Sequence, residues 1–353
     1  MGFVPTCDSV PSLNLVYFKV VVPSTFAQQL SNYPLHYNWA EDGFRYLAYS
    51  FYLKQKFGKR VQRVSIDAGF TCPNADGTVA KGGCTFCDNR SFSPSRRLPR
   101  QTILEQINAG IEGLKRRYKC DDFIAYFQPA TNTYAPVEKL RKFYDEALSH
   151  PKVIGLAIGT RADCVPEEVL DLLEEYAKTT YVTVEYGLQT IHQPTLDWMN
   201  RAETFAQYVD ALRRSKGRGF EVCLHLMLGL PGETKEMMLE TAETVAELPV
   251  DAVKIHNLYV VRRTELEKQY ERGEIELLGH NEYIDILVDF LERLPPQMVI
   301  ERISGEAPGK YFIAPDWCQD KSNILQTVEE TMEERDSFQG KEFLARQGKL
   351  ELK

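Results

Sequence analysis

The chain has 353 residues, of which 43% are hydrophobic and 26% are charged, values that suit a globular enzyme built as one large α/β barrel or two modest domains. Its net charge of −8 argues against a protein that coats itself in nucleic acid. No stretch approaches the roughly 20 apolar residues that a membrane span needs. The apolar run at residues 13–22 is interrupted by Lys19 and lacks the flanks of a secretory signal. We therefore predict a cytoplasmic protein that does not enter the membrane.

Residues 1–40 are predicted to form an irregular N-terminal extension, because they contain four prolines and little periodic pattern. Short apolar runs then alternate with amphipathic segments. Strands buried on both faces read as nearly continuous apolar runs. Six such runs occur, at residues 64–68, 123–127, 154–158, 182–188, 221–228 and 252–260.

Helical patterns lie between these runs, and Pro136 and Pro166 each stand at a predicted helix start. From the second run onward the strands are about 30 residues apart, the length of one βαβ unit. The sequence therefore predicts an α/β fold, a partial (β/α)6 TIM-like barrel of parallel strands in a core domain at residues 41–300. A helix at 283–294 and a further strand at 298–303 follow. Residues 301–353 are predicted to be a largely helical C-terminal extension that packs on the barrel.

Three of the eight cysteines, Cys72, Cys84 and Cys87, lie within sixteen residues in a glycine-rich loop directly after the first predicted strand. Thiolates are soft ligands that suit iron–sulfur clusters and zinc. Three thiolates hold three corners of a cubane, and no fourth cysteine lies nearby in the sequence. The pattern indicates a [4Fe–4S] cluster with one iron open for a further ligand.

Other interpretations remain open at this point. The three cysteines also suit a zinc site completed by a distant histidine, or ordinary buried thiols. A fourth cysteine recruited from afar would close the cluster and make the protein an electron carrier.

The loop resembles that of the radical S-adenosylmethionine (SAM) superfamily, and its wide cysteine spacing matches the elongator-catalytic-subunit-like branch. Six motifs between about residues 57 and 318 resemble the YhcC-type radical SAM proteins. They are SIDAGFTCPNADGT…GGCTFC, AYFQPATNTYAPVEKL, IGLAIGTRADCVP, VEYGLQT, HLMLGLPGET and VDAVKIHNLYVV.

This resemblance implies an enzyme that uses a [4Fe–4S] cluster to cleave SAM reductively. The 5′-deoxyadenosyl radical so formed abstracts a hydrogen atom from a substrate that the sequence does not identify. A small electron donor of the flavodoxin or ferredoxin type is implied as a partner.

Several cofactor-binding residues follow from the resemblance. Phe86 is expected to pack on adenine, with a loop-packing aromatic as the alternative. Gln128, Asn132 and Thr133 follow the second predicted strand, where the family contacts the SAM amino group, although local turn hydrogen bonds would also explain them.

Glu185 and Gln189 are four residues apart in one predicted strand, so both face the same side. We expect them to hold ribose hydroxyls or the methionine amine, and Glu185 also to take part in catalysis. A carboxylate buried there for structure alone needs a cationic partner, for which Arg161 and Arg201 are the candidates.

Gly229 and Gly232 form a turn that resembles the superfamily's adenine-docking glycine motif. Arg161 and Arg201 are candidates for carboxylate contacts, and Arg161 and His256 are further catalytic candidates. The family's Asn-Arg-Gly-His run ends here in Ala202 and Glu203, and a second family histidine is replaced around residues 257–259, both on the substrate side.

Two other functions stay open. Elongator-like relatives modify tRNA, so RNA is a second candidate substrate, weakly supported by a few short basic runs. The protein is alternatively a non-catalytic iron–sulfur or zinc-binding module.

Overall fold

A computed structural model describes residues 38–93 and 101–350, together with Leu30 and Arg96. The predicted N-terminal extension lies outside the described residues except for Leu30 and residues 38–40. The strands are β1 (Val61–Ile66), β2 (Asp122–Phe127), β3 (Val153–Thr160), β4 (Tyr181–Gln189), β5 (Glu221–Leu228), β6 (Ala252–Asn257), β7 (Val260–Val261), β8 (Val299–Arg302) and β9 (Phe312–Ala314).

The helices lie between and after these strands. They are α1 (Tyr49–Phe57), α2 (Pro73–Asp76), α3 (Asn89–Phe92), α4 (Ile103–Tyr118), α5 (Val137–Leu148), α6 (Glu167–Ala177), α7 (Gln193–Trp198), α8 (Phe205–Ser215), α9 (Lys235–Ala246), α10 (Glu265–Glu271), α11 (His280–Arg293), α12 (Lys321–Glu334) and α13 (Lys341–Arg346).

Seven parallel strands form one sheet in the order β1-β2-β3-β4-β5-β6-β8. The two edges of the sheet approach each other across the open side of the barrel. Ala48 forms a parallel bridge with Ile300 of β8, and Arg63 of β1 binds Glu301 of β8 with N–O distances of 2.6 and 2.7 Å. The predicted partial TIM-like barrel is confirmed, and the further strand predicted at 298–303 completes it as β8.

Successive side chains along a strand lie on opposite faces of the sheet, as β4 shows. Val184 and Tyr186 are fully buried in the layer between the sheet and its helices. Glu185, Gly187 and Gln189 line the inside of the barrel. This period of two confirms that Glu185 and Gln189 face the same side, and it places polar groups inside the barrel.

Two elements differ from the predicted ones. The strand predicted at 252–260 ends at Asn257, whose side-chain oxygen accepts a hydrogen bond from the Gly305 N–H at 2.8 Å. The largely helical extension predicted at 301–353 ends in two separate helices, because the chain between α12 and α13 turns into the core. There Phe338 is fully buried and Gln339 hydrogen-bonds Leu47 N–H at 2.9 Å.

Within the described residues, none of the helices combines the length and apolar character required to cross a lipid bilayer.

Candidate active site

A cavity of about 1060 Å³ extends from the cysteine loop into the barrel. The loops that follow the strands line one end of it, at the edge where barrel enzymes keep their sites. The predicted site residues that line it are Cys72, Cys84, Cys87, Phe86, Gln128, Arg161, Glu185, Gln189, Arg201 and His256. Those that do not line it are Asn132, Thr133, Gly229 and Gly232.

The cysteine loop is folded by its own backbone. Cys72 is the N-cap of the short helix α2, and Cys84 and Cys87 close a turn through a 3.0 Å hydrogen bond from the Cys87 N–H to the Cys84 carbonyl. Gly82 and Gly83 have φ angles of 88° and 77°, which side-chain-bearing residues rarely adopt. The three cysteines consequently line one cavity. Among the described residues no other cysteine lines the cavity.

A second loop, residues 199–203 after α7, holds the cysteine loop in place. The Asn200 amide donates to the carbonyl of Lys81 at 3.1 Å and to that of Gly83 at 2.7 Å. In return, the Asn74 amide donates to the Asn200 carbonyl at 2.6 Å. These bonds join segments about 120 residues apart in sequence, so the loop geometry depends on tertiary structure.

We expect Asn200→Ala to weaken cluster retention without unfolding the barrel. The substitution removes two hydrogen bonds that orient the segment before Cys84, and losing such outer contacts typically lowers metal affinity about 10- to 100-fold. Iron retained during anaerobic gel filtration with a chelator measures the effect. Asn281→Ala, at the start of α11, is the matched control, and equal iron loss in both variants would contradict the expectation.

The Cys84 sulfur accepts two N–H donors, from Asn74 at 3.4 Å and from Arg201 at 3.3 Å. Such donors stabilise the thiolate form that binds iron. The Nε–H of Arg201 is also buried and has no partner among the described residues. A buried donor beside the sulfur suits a group that brings acceptors, as cluster sulfides do.

No three His, Cys, Asp or Glu side chains of the described part of the chain converge on a single ion position. A cubane does not require such convergence, because each thiolate bonds a different iron atom. The donor set therefore fits a [4Fe–4S] cluster.

The two predicted arginines are already paired. Arg161 forms a bidentate pair with Asp163 at 2.9 and 2.8 Å, and Arg201 binds Glu203 at 2.6 Å. Glu203 is buried and also lies 3.3 Å from Arg161. The residue that departs from the family pattern at position 203 thus joins both arginines beneath the cysteine loop.

The predicted residues outside the cavity make local contacts. The Asn132 amide donates to backbone carbonyls, including Phe127 at 3.0 Å and Gly159 at 2.9 Å, and the Thr133 hydroxyl bonds Thr160 at 2.5 Å. Gly229 has a φ of 83°, and a Cβ there would lie 2.8 Å from Leu278. These contacts match the turn-forming alternative, while cofactor contacts at Asn132, Thr133, Gly229 and Gly232 stay predictions.

Glu185 lies at the centre of a group of interacting side chains that we call the interior charge network. Four donors reach its two carboxylate oxygens: Arg63 at 2.6 Å, Tyr126 at 2.7 Å, His225 at 2.7 Å and Lys254 at 2.5 Å. Arg63 and Lys254 also contact Glu301, the sixth member, so two cations face two carboxylates.

The expected structural partners of Glu185 were therefore wrong, since neither Arg161 nor Arg201 contacts it. Burial by itself would raise the pKa of Glu185, but the charges of Lys254 and Arg63 and the hydrogen bond from His225 hold it well below its ordinary value. Glu185 is thus ionised and fully partnered. A contact with ribose or the methionine amine would have to displace one of its donors.

Two histidines stand side by side on the cavity wall, His225 on β5 and His256 on β6, with ring centroids 5.5 Å apart. Burial and then the charge of Lys254 lower the pKa of His225. Burial and then the charges of Arg302 and His225 hold the pKa of His256 well below its ordinary value. Both rings are therefore neutral near pH 7.

We expect stability to fall as the pH drops below about 6.5, the ordinary histidine value. In that range the two histidines bind protons in the unfolded chain but stay neutral in the folded chain, so acid favours unfolding. His256→Gln should reduce the slope of unfolding free energy against pH by up to about 1.4 kcal/mol per pH unit. Urea unfolding between pH 7.5 and 5.5 measures it, and identical slopes would show that His256 accepts a proton as readily when folded.

Sequence reasoning missed most of the interior charge network. Arg63 lies directly before the first predicted strand, and Tyr126, His225, Lys254 and Glu301 interrupt the apolar runs of other predicted strands. Such an interruption was the available signal, because a charged residue inside a buried strand needs a partner.

Comparison with known proteins agrees with the site. A model of the radical SAM superfamily matches residues 77–245, and a model of the radical SAM C-terminal domain matches residues 250–334. YtqA of Bacillus subtilis is 40% identical over 314 residues, which are 89% of this chain and 97% of YtqA. YhcC of Escherichia coli is 39% identical over 272 residues, 76% of this chain and 86% of YhcC.

More distant similarities cover less of the partner. A Methanocaldococcus jannaschii tRNA uridine(34) acetyltransferase is 31% identical over 54% of this chain and 34% of that protein. The solved structure of Methanocaldococcus infernus Elp3 with an N-terminal deletion has a TM-score of 0.61 and 20% identity, covering 79% of this chain and 64% of that one.

The chain belongs to the radical SAM superfamily. The predicted resemblance to YhcC-type proteins is confirmed by the identity to YhcC itself. Members of the superfamily are enzymes that use a [4Fe–4S] cluster and SAM, and these are the cofactors of the family to which this site belongs.

Proposed function

We propose that this chain is a radical SAM enzyme that acts on a substrate held in the barrel cavity. Cys72, Cys84 and Cys87 would hold the cluster. The observation that carries the proposal is that three thiols from one loop line the same cavity as the polar interior of the barrel. When bound, the reduced cluster and SAM supply a 5′-deoxyadenosyl radical that removes a hydrogen atom from the substrate.

The chain's own residues prepare this chemistry. Asn74 and Arg201 donate hydrogen bonds to the Cys84 sulfur, which favours the thiolate. Phe86 lines the cavity beside Cys87 and offers an aromatic face to adenine. Gln128 and Gln189 present amides from the ends of β2 and β4 to a nucleoside or an amino acid group.

The interior charge network lines the part of the cavity inside the barrel. Its two carboxylates balance its two cations, so the interior carries no unpaired charge among these groups. We assign Glu185 as a positioning residue, which holds His225 and Lys254 by direct hydrogen bonds.

Anaerobic reconstitution with iron and sulfide tests the proposal. We expect about four irons and four sulfides per chain, an electron paramagnetic resonance signal that changes when SAM is added, and 5′-deoxyadenosine after reduction with dithionite. Zinc without sulfide would refute the proposal. A cluster that does not respond to SAM would instead favour the electron carrier or a non-catalytic module.

An electron donor is needed to reduce the cluster. A flavodoxin- or ferredoxin-type protein in the cytoplasm would fill this role. Its partnership is tested by replacing dithionite with each reduced donor and measuring 5′-deoxyadenosine.

A tRNA substrate is the second candidate, favoured by the similarity to a tRNA uridine(34) acetyltransferase. Mass spectrometry of nucleosides from tRNA incubated with the reconstituted enzyme and SAM distinguishes the candidates. A new or missing modified nucleoside that depends on Cys84 supports RNA, whereas unchanged tRNA points to a small molecule.

A further inference from the structure

Six lysine and arginine side chains of the described residues line the barrel cavity, and they fall into two sets. Four of them, Arg63, Arg161, Arg201 and Lys254, each form an ion pair with a buried or half-buried acidic side chain. The other two, Arg302 and Lys321, form no hydrogen bond or ion pair with any described residue.

Arg302 is the last residue of β8, and its Cα lies opposite that of Lys254 in the sheet. It is half-buried on the cavity wall. A guanidinium offers five N–H donors in a planar fork, and removing them from water without an acceptor is unfavourable. The position of Arg302 is therefore suited to a group that arrives with acceptor oxygens.

Lys321 is the first residue of α12 and stands exposed at the cavity rim. Arg302 and Lys321 both line this cavity. Glu306 is the acidic side chain nearby, but it is exposed and forms no ion pair with any described residue. The local charge at this rim is thus positive, in contrast to the balanced interior charge network.

Tyr259, Arg302 and Cys87 line the same cavity. A group held by Arg302 would therefore share the cavity with the centre at which the proposed reaction occurs.

We propose that Arg302 and Lys321 bind an oxyanion group of the substrate, a carboxylate or a phosphate, at the β8 wall of the cavity. This inference rests on the proposed function and narrows its substrate to an anionic molecule. Guanidinium and ammonium groups together favour such oxygens, with the fork of Arg302 giving direction and Lys321 adding charge. Lys321 faces solvent at the cavity rim. The anionic group of a substrate that enters from solvent therefore meets Lys321 and then Arg302.

Chemical protection of Arg302 tests the inference on the reconstituted holoprotein without any reductant. Phenylglyoxal modifies accessible, unpaired guanidinium groups, and mass spectrometry of peptides reports the rate at Arg302. We expect inorganic phosphate or acetate to slow this reaction at least about 5-fold at constant ionic strength. Arg213, an exposed residue of α8 that lies outside the cavity and forms no ion pair with any described residue, is the internal control whose rate should not change.

The two anions distinguish the chemical group that the site binds. Protection by phosphate alone indicates a phosphoryl group, and protection by acetate alone indicates a carboxylate. Lys321→Met should raise the anion concentration needed for half-protection about 5-fold or more. An Arg302 that phenylglyoxal does not reach, or that neither anion protects, would overturn the inference. Full protection by SAM alone would also overturn it, since the site would then belong to the cofactor.

Failure of this inference is distinguishable from failure of the proposed function. The protection assay needs no SAM cleavage, and 5′-deoxyadenosine formation needs no substrate anion. Arg302→Met should leave bound iron and SAM affinity within about 2-fold of the parent, so a loss of either would assign Arg302 to the cofactor site.

Discussion

Cys84→Ala is expected to abolish iron binding and SAM cleavage together. The substitution removes one of the three proposed sulfur ligands and also leaves the N–H donors of Asn74 and Arg201 without their acceptor. A cubane held by two thiolates is readily lost, so we expect formation of 5′-deoxyadenosine to fall at least about 100-fold. Iron and sulfide analysis with product quantification by mass spectrometry measures both quantities.

The matched control for this variant is Cys120→Ala. Cys120 is buried but lies away from the cavity, so its loss removes a thiol without touching the cysteine loop. The control should retain the full iron content and activity. A Cys84→Ala protein that keeps four irons and normal SAM cleavage would show that the three cysteines do not hold the cluster.

Among single substitutions in the interior charge network, Glu185→Gln is expected to lower the free energy of unfolding the most. Glutamine keeps the shape of the side chain but removes its charge, which leaves Arg63 and Lys254 opposed by Glu301 alone. Breaking a buried ion pair in this way typically costs about 3–5 kcal/mol. Equilibrium unfolding in urea, read by circular dichroism, measures the loss.

A double variant separates this electrostatic effect from simple repacking. Lys254→Met together with Glu185→Gln restores a balance of one cation and one carboxylate, so the double variant should be more stable than the sum of the single losses by about 0.5–3 kcal/mol. Strictly additive losses would show that the two charges do not interact.

Acid should affect the parent and the Glu185→Gln variant differently. The pKa of Glu185 lies well below its ordinary value, so its contribution is fully present above that ordinary value and is lost as the pH falls toward the folded one. Below about pH 4.5 the stability difference between parent and variant should therefore shrink. A difference that stays constant with pH would contradict this.

Most of the fold was predictable because its signals are local. The strand at Glu221–Leu228 was predicted with its observed bounds, and the others were located within a few residues, since a buried parallel strand is a continuous apolar run. The break between α12 and α13 was missed, because Phe338 and Gln339 are held in the core by contacts with residues that are distant in the sequence.

In the candidate site, too, local features were predictable and long-range contacts were not. The cysteine loop was predictable because its three cysteines, its glycines and its turn lie within sixteen residues. The partners of Glu185 were not, since Arg63 is 122 residues away and Lys254 is 69 residues away. Which inward-facing residues meet depends on how strongly the sheet curves, and no local pattern encodes that curvature.

By itself, the amino-acid sequence determined the order of the βα units, the shared face of Glu185 and Gln189 and the three thiols of one loop, because each depends on neighbouring residues. Only the tertiary structure decided which charges neutralise one another. It paired Arg63 and Lys254 with Glu185 and Glu301 and left Arg302 and Lys321 without acidic partners among the described residues. Ion pairs form between groups a few ångströms apart, and those distances are set by the closure of the whole barrel.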